Sequence, residues 1–316
     1  MQLRPLGATG MRVSPIGFGA SPLGNEFGDV SQQESTRAVH EAIDRGINFF
    51  DVSPYYGRTL AESRLGLALQ AKRDKVLLAT KCGRYDTDRF DFSAARLRSS
   101  IDESLQRLRT DHVDLFQAHD IEFGTQRQIE EETVPALREI QRSGKARFIG
   151  ITSYQLELMV RIIEGRPVDT VLSYCRFNLL ARDMDDLLTP VAKEKGIGLI
   201  NASPLHMGLL SESKIPAWHP APQPLRDTAE RVRKLCRDRG VNPVQAGLSY
   251  CVQHPYVATT LVGMASVEQV RTNLGALDLC LEQSLLDEIE AAVAPTRNLV
   301  WPSGLRENAD YARRLC

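Results

Sequence analysis

The chain has 316 residues, of which 42% are hydrophobic and 25% charged, a composition typical of a globular protein with a large buried core. Lys and Arg number 39 and Asp and Glu number 40, so the formal charge is −1 and no nucleic-acid partner is indicated. The same composition excludes disordered, collagen-like and fibrous classes. Length alone allows one or two domains, because barrels of repeated βα units hold ~250 residues in one domain.

Targeting and cysteine patterns point to a reducing compartment. Residues 1–5 do not have the apolar region of a secretory signal, and no apolar run approaches the ~18 residues of a membrane helix. The six cysteines are scattered without a Cys-x-x-Cys pair, so we expect most of them to be small core residues. We therefore expect a cytoplasmic protein without a membrane partner.

The first half of the chain alternates short apolar runs with longer stretches of helical period. A strand is expected at 16–20 and a helix at 31–45, where Ser31 is the N-cap, Glu34 follows three residues later and Gly46 ends the helix. The elements predicted next, in chain order, are strand 48–52, strand 76–80, helix 93–108, strand 113–118, helix 129–142 and strand 147–152. The repeat is about 35 residues long.

The second half continues the alternation and contains one interruption. The predicted elements are helix 156–163, strand 170–174, helix 187–195, strand 198–202, helices 226–239 and 243–253, strand 259–262 and helix 266–277. Four prolines fall within 206–225, which predicts a long loop after a strand because proline disrupts a helix interior. The chain therefore contains eight predicted strands.

Strands separated by helices are parallel, and eight such units favour a (β/α)₈ TIM barrel with long loops at the C-terminal face of the strands. The alternative is a doubly wound dinucleotide-binding sheet, which requires G-x-G-x-x-G after its first strand. The nearest match, residues 17–22, has Pro22 where the last glycine is needed. We predict a single barrel domain over residues 1–316.

Four polar residues follow or end predicted strands, where the active site of such a barrel lies. They are Asp51, Tyr56, Lys81 and His119. Each alone is equally typical of a salt bridge, a turn or a buried core histidine. Together they indicate proton transfer coupled to hydride transfer: an ammonium about 4 Å from a phenol lowers its pKa by the two to three units that a base requires. Tyr56 would be the general base, Lys81 its activator, Asp51 the partner of Lys81, and His119 a hydrogen-bond donor to the reacting oxygen.

Three segments around these residues resemble the catalytic signatures of the aldo-keto reductases, in the order and spacing of that family. They are residues 51–57 (DVSPYYG), 79–81 (ATK) and 114–119 (DLFQAH). The similarity extends over essentially the whole chain. It implies substrate binding by Tyr56 and His119 and a nicotinamide cofactor, with no metal; no His-Glu-x-x-His or similar ligand spacing occurs.

Three further segments resemble the cofactor-binding segments of the family. Residues 150–153 resemble the carboxamide-binding segment, although Ser153 stands where Asn is usual. Residues 203–210 resemble the pyrophosphate loop, and 261–273 the adenosine-binding segment. The resemblance implies these cofactor contacts: Gly19, Ala20, Ser21, Asp51, Thr152, Ser153, Tyr174, Ser203, Leu205, Gly208, Leu210, Gly263, Ala265, Gln269 and Asn273.

Stretches outside the catalytic core are most similar to the subgroup of this family that oxidises L-galactose. They are residues 216–221, 262–264 and 298–304. The implied reaction is oxidation of L-galactose, or of the related L-fucose, at C1 to the lactone. Trp218, in the proline-rich loop, would then stack on the sugar, although packing of the loop explains it equally well. Many members stack a tyrosine on the nicotinamide from the position that is Ala202 here, and Tyr174 is the candidate replacement.

NAD is the expected cofactor and NADP the less favoured one, because residues 263–270 contain no Lys or Arg to pair with a 2′-phosphate. Glu268 lies in this stretch, and Arg271 is the nearest cation. Two alternatives remain open: an NADPH-dependent carbonyl reductase, and a nucleotide-sensing binding subunit. The expected partner is a small sugar, and the chain is expected to be a monomer or small homo-oligomer in carbohydrate metabolism.

Overall fold

A short antiparallel hairpin precedes eight parallel strands in the computed structural model, which describes residues 1–309. The hairpin is β1 (Arg4–Pro5) and β2 (Arg12–Val13). The eight strands are β3 (Ile16–Gly19), β4 (Phe49–Asp51), β5 (Leu77–Cys82), β6 (Val113–Ala118), β7 (Ala146–Ser153), β8 (Thr170–Tyr174), β9 (Gly198–Ala202) and β10 (Thr259–Gly263). Each predicted strand is present, with its bounds shifted by one or two residues at most.

The eight strands close into a barrel, because β10 pairs with both β9 and β3. All pairings between neighbouring strands are parallel, as strand–helix–strand connections require. The predicted (β/α)₈ barrel is therefore confirmed, and the doubly wound alternative is wrong. Gly17 lies inside this barrel rather than in a dinucleotide loop, since a Cβ there would lie 2.7 Å from the Leu261 side chain.

Helices surround the barrel. They are α1 (Gln32–Asp44), α2 (Leu60–Leu69), α3 (Ala94–Leu108), α4 (Gln126–Gln128), α5 (Val134–Arg142), α6 (Leu156–Gly165), α7 (Asp183–Leu187), α8 (Thr189–Glu194), α9 (Gln223–Asp238), α10 (Pro243–Val252), α11 (Val267–Leu274) and α12 (Gln283–Val293). The cap predicted for α1 is confirmed: Ser31 and Glu34 form a reciprocal capping box. In residues 1–309 no helix is long and apolar enough to cross a membrane.

Three helix predictions need correction. The sequence analysis did not include α2 and α12, and the single helix predicted at 187–195 is instead the pair α7 and α8. The predicted loop 206–225 ends earlier, because α9 begins at Gln223 and Pro224 lies in its first turn, where a missing N–H has no helical partner to lose. The loop after β9 therefore spans residues 203–222.

The hairpin closes the N-terminal end of the barrel. Leu6, Met11 and Val13 are buried and pack against the inward-facing apolar side chains of the barrel strands. The Arg4 guanidinium donates to the carbonyl oxygens of Val252 and Val257 at 2.5 and 3.2 Å. The active site must therefore open at the opposite end, where the strands terminate.

Candidate active site

Asp51, Lys81, Tyr56 and His119 converge at the C-terminal end of the barrel. β4 ends at Asp51, Lys81 is the fifth of the six residues of β5, and His119 directly follows β6. The Lys81 ammonium forms an ion pair with Asp51, donates to the Val52 carbonyl oxygen at 3.0 Å and donates to the Tyr56 hydroxyl at 3.4 Å. The structure thus brings together all four residues that the sequence analysis singled out.

The Lys81–Asp51 pair is fully buried, and a second side chain fixes its geometry. Gln117, which points into the barrel from β6, donates to the free Asp51 carboxylate oxygen at 3.0 Å. Burial disfavours the Lys81 ammonium, but the Asp51 carboxylate and the Tyr56 oxygen outweigh burial and raise the pKa of Lys81. Lys81 is therefore charged at neutral pH and held against Tyr56.

The sequence predicts a lowered pKa for Tyr56, and the direction of this prediction is wrong. Burial raises the pKa of Tyr56 to about 12; the Lys81 ammonium opposes this rise, while Asp51 and Asp120 add to it. A lowered pKa is expected from the charge of Lys81 alone, whereas burial of the phenol is the larger effect and Asp51, paired with Lys81, opposes its charge. In the protein without cofactor, Tyr56 is therefore a neutral phenol.

His119 is buried and neutral, because burial lowers its pKa to about 3. Its Nδ1 lies 3.0 Å from the Ser53 hydroxyl, and that oxygen already accepts the Tyr55 N–H. The Ser53 hydroxyl can donate its hydrogen to Nδ1, an arrangement that corresponds to the tautomer with the proton on Nε2. Nε2 lies beside the Asp120 carboxylate at 3.7 Å. His119 can therefore donate a hydrogen bond from Nε2 to a reacting oxygen, as the sequence analysis expects.

A second ion pair lies beside the tetrad, formed by Asp120 and Arg84, and the sequence analysis missed both residues. Arg84 also stacks over the Tyr55 ring, with 3.8 Å from the guanidinium carbon to the ring centroid. The adjacency of Asp120 to His119 was the available signal for this pair. For Gln117, the signal was a polar side chain between the apolar residues Phe116 and Ala118 near the end of a predicted strand.

The candidate cofactor residues line one side of the barrel mouth, at the ends of β7 to β10 and β3. In residues 203–210, the segment that resembles the pyrophosphate loop, the N–H groups of Leu205 and Met207 donate to no acceptor within residues 1–309. Positive φ angles of 55° at Ser203, 53° at His206 and 52° at Met207 shape this loop. Free backbone N–H groups in such a turn suit the oxygens of a phosphate. The residues present therefore fit a dinucleotide cofactor.

The residues predicted to contact the cofactor differ in solvent accessibility. Ser203, Leu205, Gly208, Gly263, Gln269, Gly19, Ser21 and Tyr174 are at least partly accessible, whereas Ala20, Asp51, Thr152, Ser153, Leu210, Ala265 and Asn273 are buried. The Ser153 hydroxyl donates to Glu122 at 2.7 Å and accepts the Gln155 N–H at 2.9 Å. The Leu210 side chain packs in the core, so only its backbone can meet a cofactor. Contact of these residues with a cofactor stays a prediction.

A cavity of about 410 Å³ opens beside Tyr55, the neighbour of Tyr56. It is lined by Gly24, Asn25, Glu26, Tyr55, Gly57, Arg58, Asp86, Thr87 and Trp218. Trp218 is 52% exposed and makes an edge contact with Phe27, which is 48% exposed, at 5.8 Å between ring centroids. In residues 1–309 no group of three or more His, Cys, Asp or Glu side chains is arranged to hold a metal ion.

The sequence signature of the Aldo/keto reductase family matches residues 15–294. The chain belongs to the aldo-keto reductase family. The L-galactose dehydrogenase of Arabidopsis thaliana is 46% identical to it over 318 aligned residues, which cover 98% of this chain and 99% of that protein. The D-threo-aldose 1-dehydrogenase of a Pseudomonas species is 29% identical, with coverage of 92% and 97%.

Structural comparison agrees with this assignment. The aldo-keto reductase AKR11C1 from Bacillus halodurans, in its holo form, superposes with a TM-score of 0.78 at 27% identity, covering 92% of this chain and 96% of that one. This aldo-keto reductase is an oxidoreductase. Its candidate site is the tetrad at the end of the barrel, together with the N–H groups of Leu205 and Met207 and the cavity beside Tyr55.

Proposed function

We propose that this aldo-keto reductase oxidises L-galactose, and also L-fucose, at C1 to the lactone with NAD as the oxidant. The observation that carries the proposal is the 46% identity to the L-galactose dehydrogenase of Arabidopsis thaliana across 98% of the chain. The relative that is an aldose 1-dehydrogenase supports the same reaction type. The assembled tetrad supports a proton and hydride transfer.

The reaction balances as one hydride and one proton leaving the sugar. The O1–H proton would pass to the Tyr56 oxygen as the C1–O1 double bond of the lactone forms, and the hydrogen of the broken C1–H bond would leave with its electron pair for bound NAD. NAD, when bound, supplies the hydride acceptor and a positive charge. The products are the lactone, NADH and one proton that Tyr56 releases to water.

Tyr56 must lose its own proton before it can accept one from the sugar. Burial raises the pKa of Tyr56 to about 12, so the charge of Lys81 alone does not lower this pKa to the neutral range. The phenolate therefore needs a second positive charge, which the oxidised nucleotide carries. Lys81, held by Asp51 and by the Val52 carbonyl, then stabilises the phenolate at 3.4 Å.

The contacts of Arg271 support a preference for NAD over NADP. Arg271 directly follows the stretch 263–270, which has no Lys or Arg, and its guanidinium donates to the Glu41 carboxylate of α1 at 2.8 Å. The Arg271 and Arg45 hydrogen bonds lower the pKa of Glu41 to about 2, so this carboxylate stays charged and competes with a 2′-phosphate for Arg271. Glu268, exposed in the first turn of α11, adds a further negative charge.

A panel of aldoses assayed with NAD and with NADP, following the reduced nicotinamide, tests substrate, direction and cofactor together. We expect L-galactose and L-fucose to be oxidised with NAD faster than other aldoses. Absence of sugar oxidation with either nucleotide would contradict the proposal.

A second candidate, reduction of a carbonyl with NADPH, is favoured by one observation. A neutral Tyr56 is already the acid that a reduction needs, since its pKa lies near 12. The same enzyme assayed with aldehydes and NADPH distinguishes the two: faster turnover in that direction, with NADPH preferred over NADH, would replace the first proposal.

A further inference from the structure

Glu122 is a fully buried carboxyl three residues after His119, in the turn Ile121–Phe123. Its Oε2 accepts the Ser153 hydroxyl at 2.7 Å. Its Oε1 accepts the Tyr154 N–H at 3.2 Å, the Tyr174 hydroxyl at 3.4 Å and the Ser303 hydroxyl at 3.1 Å. One carboxyl thus accepts four donors, from the ends of β7 and β8 and from the C-terminal segment.

Four donors suit an ionised carboxylate, which only accepts, better than a carboxylic acid, which must also donate. No cation in residues 1–309 forms an ion pair with Glu122, whereas Asp51 and Asp120 each have one. Burial and then the Asp120 charge raise the pKa of Glu122 to about 7. Among residues 1–309, Glu122 is therefore a buried acid whose negative charge has no cationic ion-pair partner.

The charged groups around Glu122 do not supply that partner. On its own loop, Asp120 is ionised and paired with Arg84, and His119 is neutral because burial lowers its pKa to about 3. On β8, burial and the charges of Asp120 and Glu122 raise the pKa of Tyr174 well above its ordinary value, so Tyr174 stays a donor. Behind Tyr154, a neutral ion pair is formed by Arg176 and Asp183.

Glu122 contacts Tyr174, the candidate replacement for the missing stacking tyrosine. Tyr174 pairs with Ala202 in the register of β8 and β9, so its ring lies beside the position from which many relatives cover the nicotinamide. Tyr174 is partly accessible, whereas Ser153 is not. The hydroxyl of Tyr174 rests on Glu122, which fixes where the ring lies.

We infer that Glu122 is a positioning residue of the nicotinamide pocket, where its carboxylate orients Tyr174 and Ser153 and favours the oxidised nucleotide over the reduced one. The inference rests on the proposed use of a nicotinamide nucleotide and not on the identity of the sugar. The oxidised ring is positive and the reduced ring neutral, so an unpaired carboxylate behind the pocket wall attracts only the oxidised form. This bias favours binding of the form that oxidises sugars.

Titration calorimetry with NAD and with NADH at pH 8 tests the inference without turnover. We expect Glu122→Gln, which keeps the size and polarity of the side chain, to weaken NAD binding on the order of tenfold and NADH binding less than about twofold. A purely structural role would weaken binding of both nucleotides to the same extent, and that result would overturn the inference. Glu122→Asp keeps the charge and should keep most of the preference for NAD.

Glu62→Gln is the matched control. Glu62 is equally buried, but it accepts the Thr80 hydroxyl at 2.6 Å and pairs with Arg107 on the outer side of the barrel. Its replacement should lower stability and leave the ratio of the two affinities unchanged. A shift of that ratio equal to the shift in Glu122→Gln would overturn the assignment to Glu122.

The wild-type protein provides a test that does not depend on folding of a variant. Because Glu122 ionises near pH 7, the affinity for NAD relative to NADH should rise between pH 6 and pH 8, and Glu122→Gln should abolish the rise. A wild-type ratio independent of pH would overturn the inference. If the nucleotides bind but no sugar is oxidised, the proposed substrate fails and the ratio still decides the role of Glu122; if neither nucleotide binds, both proposals fall.

Discussion

The Tyr56 hydroxyl lies 3.4 Å from the Lys81 ammonium, yet burial holds the pKa of Tyr56 near 12. A cation at that distance favours the phenolate, but Asp51 shares the same cation and weakens its effect. In the protein without cofactor, Tyr56 is therefore protonated at neutral pH. Under the proposed function, the positive charge of the oxidised nicotinamide would favour its ionisation.

Replacing Tyr56 by Phe removes the oxygen that accepts the proton and leaves the ring. We expect kcat to fall at least about 100-fold, while nucleotide binding survives. Steady-state kinetics and a nucleotide titration check both statements. Tyr55→Phe is the control, because that hydroxyl is outside the tetrad, and its kcat should stay within about tenfold. Retention of more than a tenth of the rate by Tyr56→Phe would point to another base.

Lys81→Met removes the charge that opposes burial at Tyr56. The pKa of Tyr56, already about 12, should then rise further. The limb of the pH profile along which log kcat/KM increases with pH should therefore move to higher pH, and the rate at neutral pH should nearly vanish. The pH dependence of kcat/KM measures this shift. If this rising limb keeps its wild-type position in Lys81→Met, Lys81 does not determine the pKa of Tyr56.

The cofactor preference should exceed about tenfold in kcat/KM for NAD over NADP, which requires only ~1.4 kcal/mol of differential binding in the transition state. Glu41→Gln should release Arg271 and improve the use of NADP, and Ala265→Arg should do so by adding a cation. Kinetics with both nucleotides measure the change. Equal efficiency in the wild type would contradict the preference, and no gain from Ala265→Arg would mean that the adenosine segment lies elsewhere.

Trp218→Ala should raise the KM for the sugar several-fold and leave the affinity for NAD unchanged, because the indole lines the cavity beside Tyr55 and offers an apolar face to sugar C–H groups. Phe27→Ala, which removes the aromatic partner of Trp218, should have a smaller effect in the same direction. The two Michaelis constants, measured separately, provide the test. An unchanged sugar KM would leave Trp218 with a packing role only.

His206 links the loop after β9 to stability at acidic pH. Burial lowers its pKa to about 3, so between pH 7 and pH 5 a proton binds to this histidine only in the unfolded chain, and the free energy of unfolding falls as pH falls. Between pH 7 and pH 5, the free energy of unfolding of His206→Gln should therefore fall by about 2 kcal/mol less than that of the wild type. Urea denaturation at both pH values measures the difference. Equal losses would show that the pKa of His206 is not lowered in the folded protein.

The elements that repeat a simple pattern were predictable from the sequence, and those that break the pattern were not. The strand Ile16–Gly19 is a short run without polar side chains, whereas α2 buries Glu62 on the face where a helical pattern requires an apolar residue. The tetrad was predictable because the ends of parallel strands meet. Glu122 was not, since its donors lie 31, 52 and 181 residues away along the chain.

The hairpin that closes the barrel has a practical consequence for attaching the molecule to a surface. Arg4 anchors the first strand beneath the barrel through the carbonyl groups of Val252 and Val257, at the end remote from Tyr56 and Trp218. A tether joined before Met1, which is 48% exposed, would therefore leave the catalytic mouth facing the bulk solution. An electrode or sensor chip coated in this way should hold the molecules in a uniform orientation with unobstructed access for the sugar.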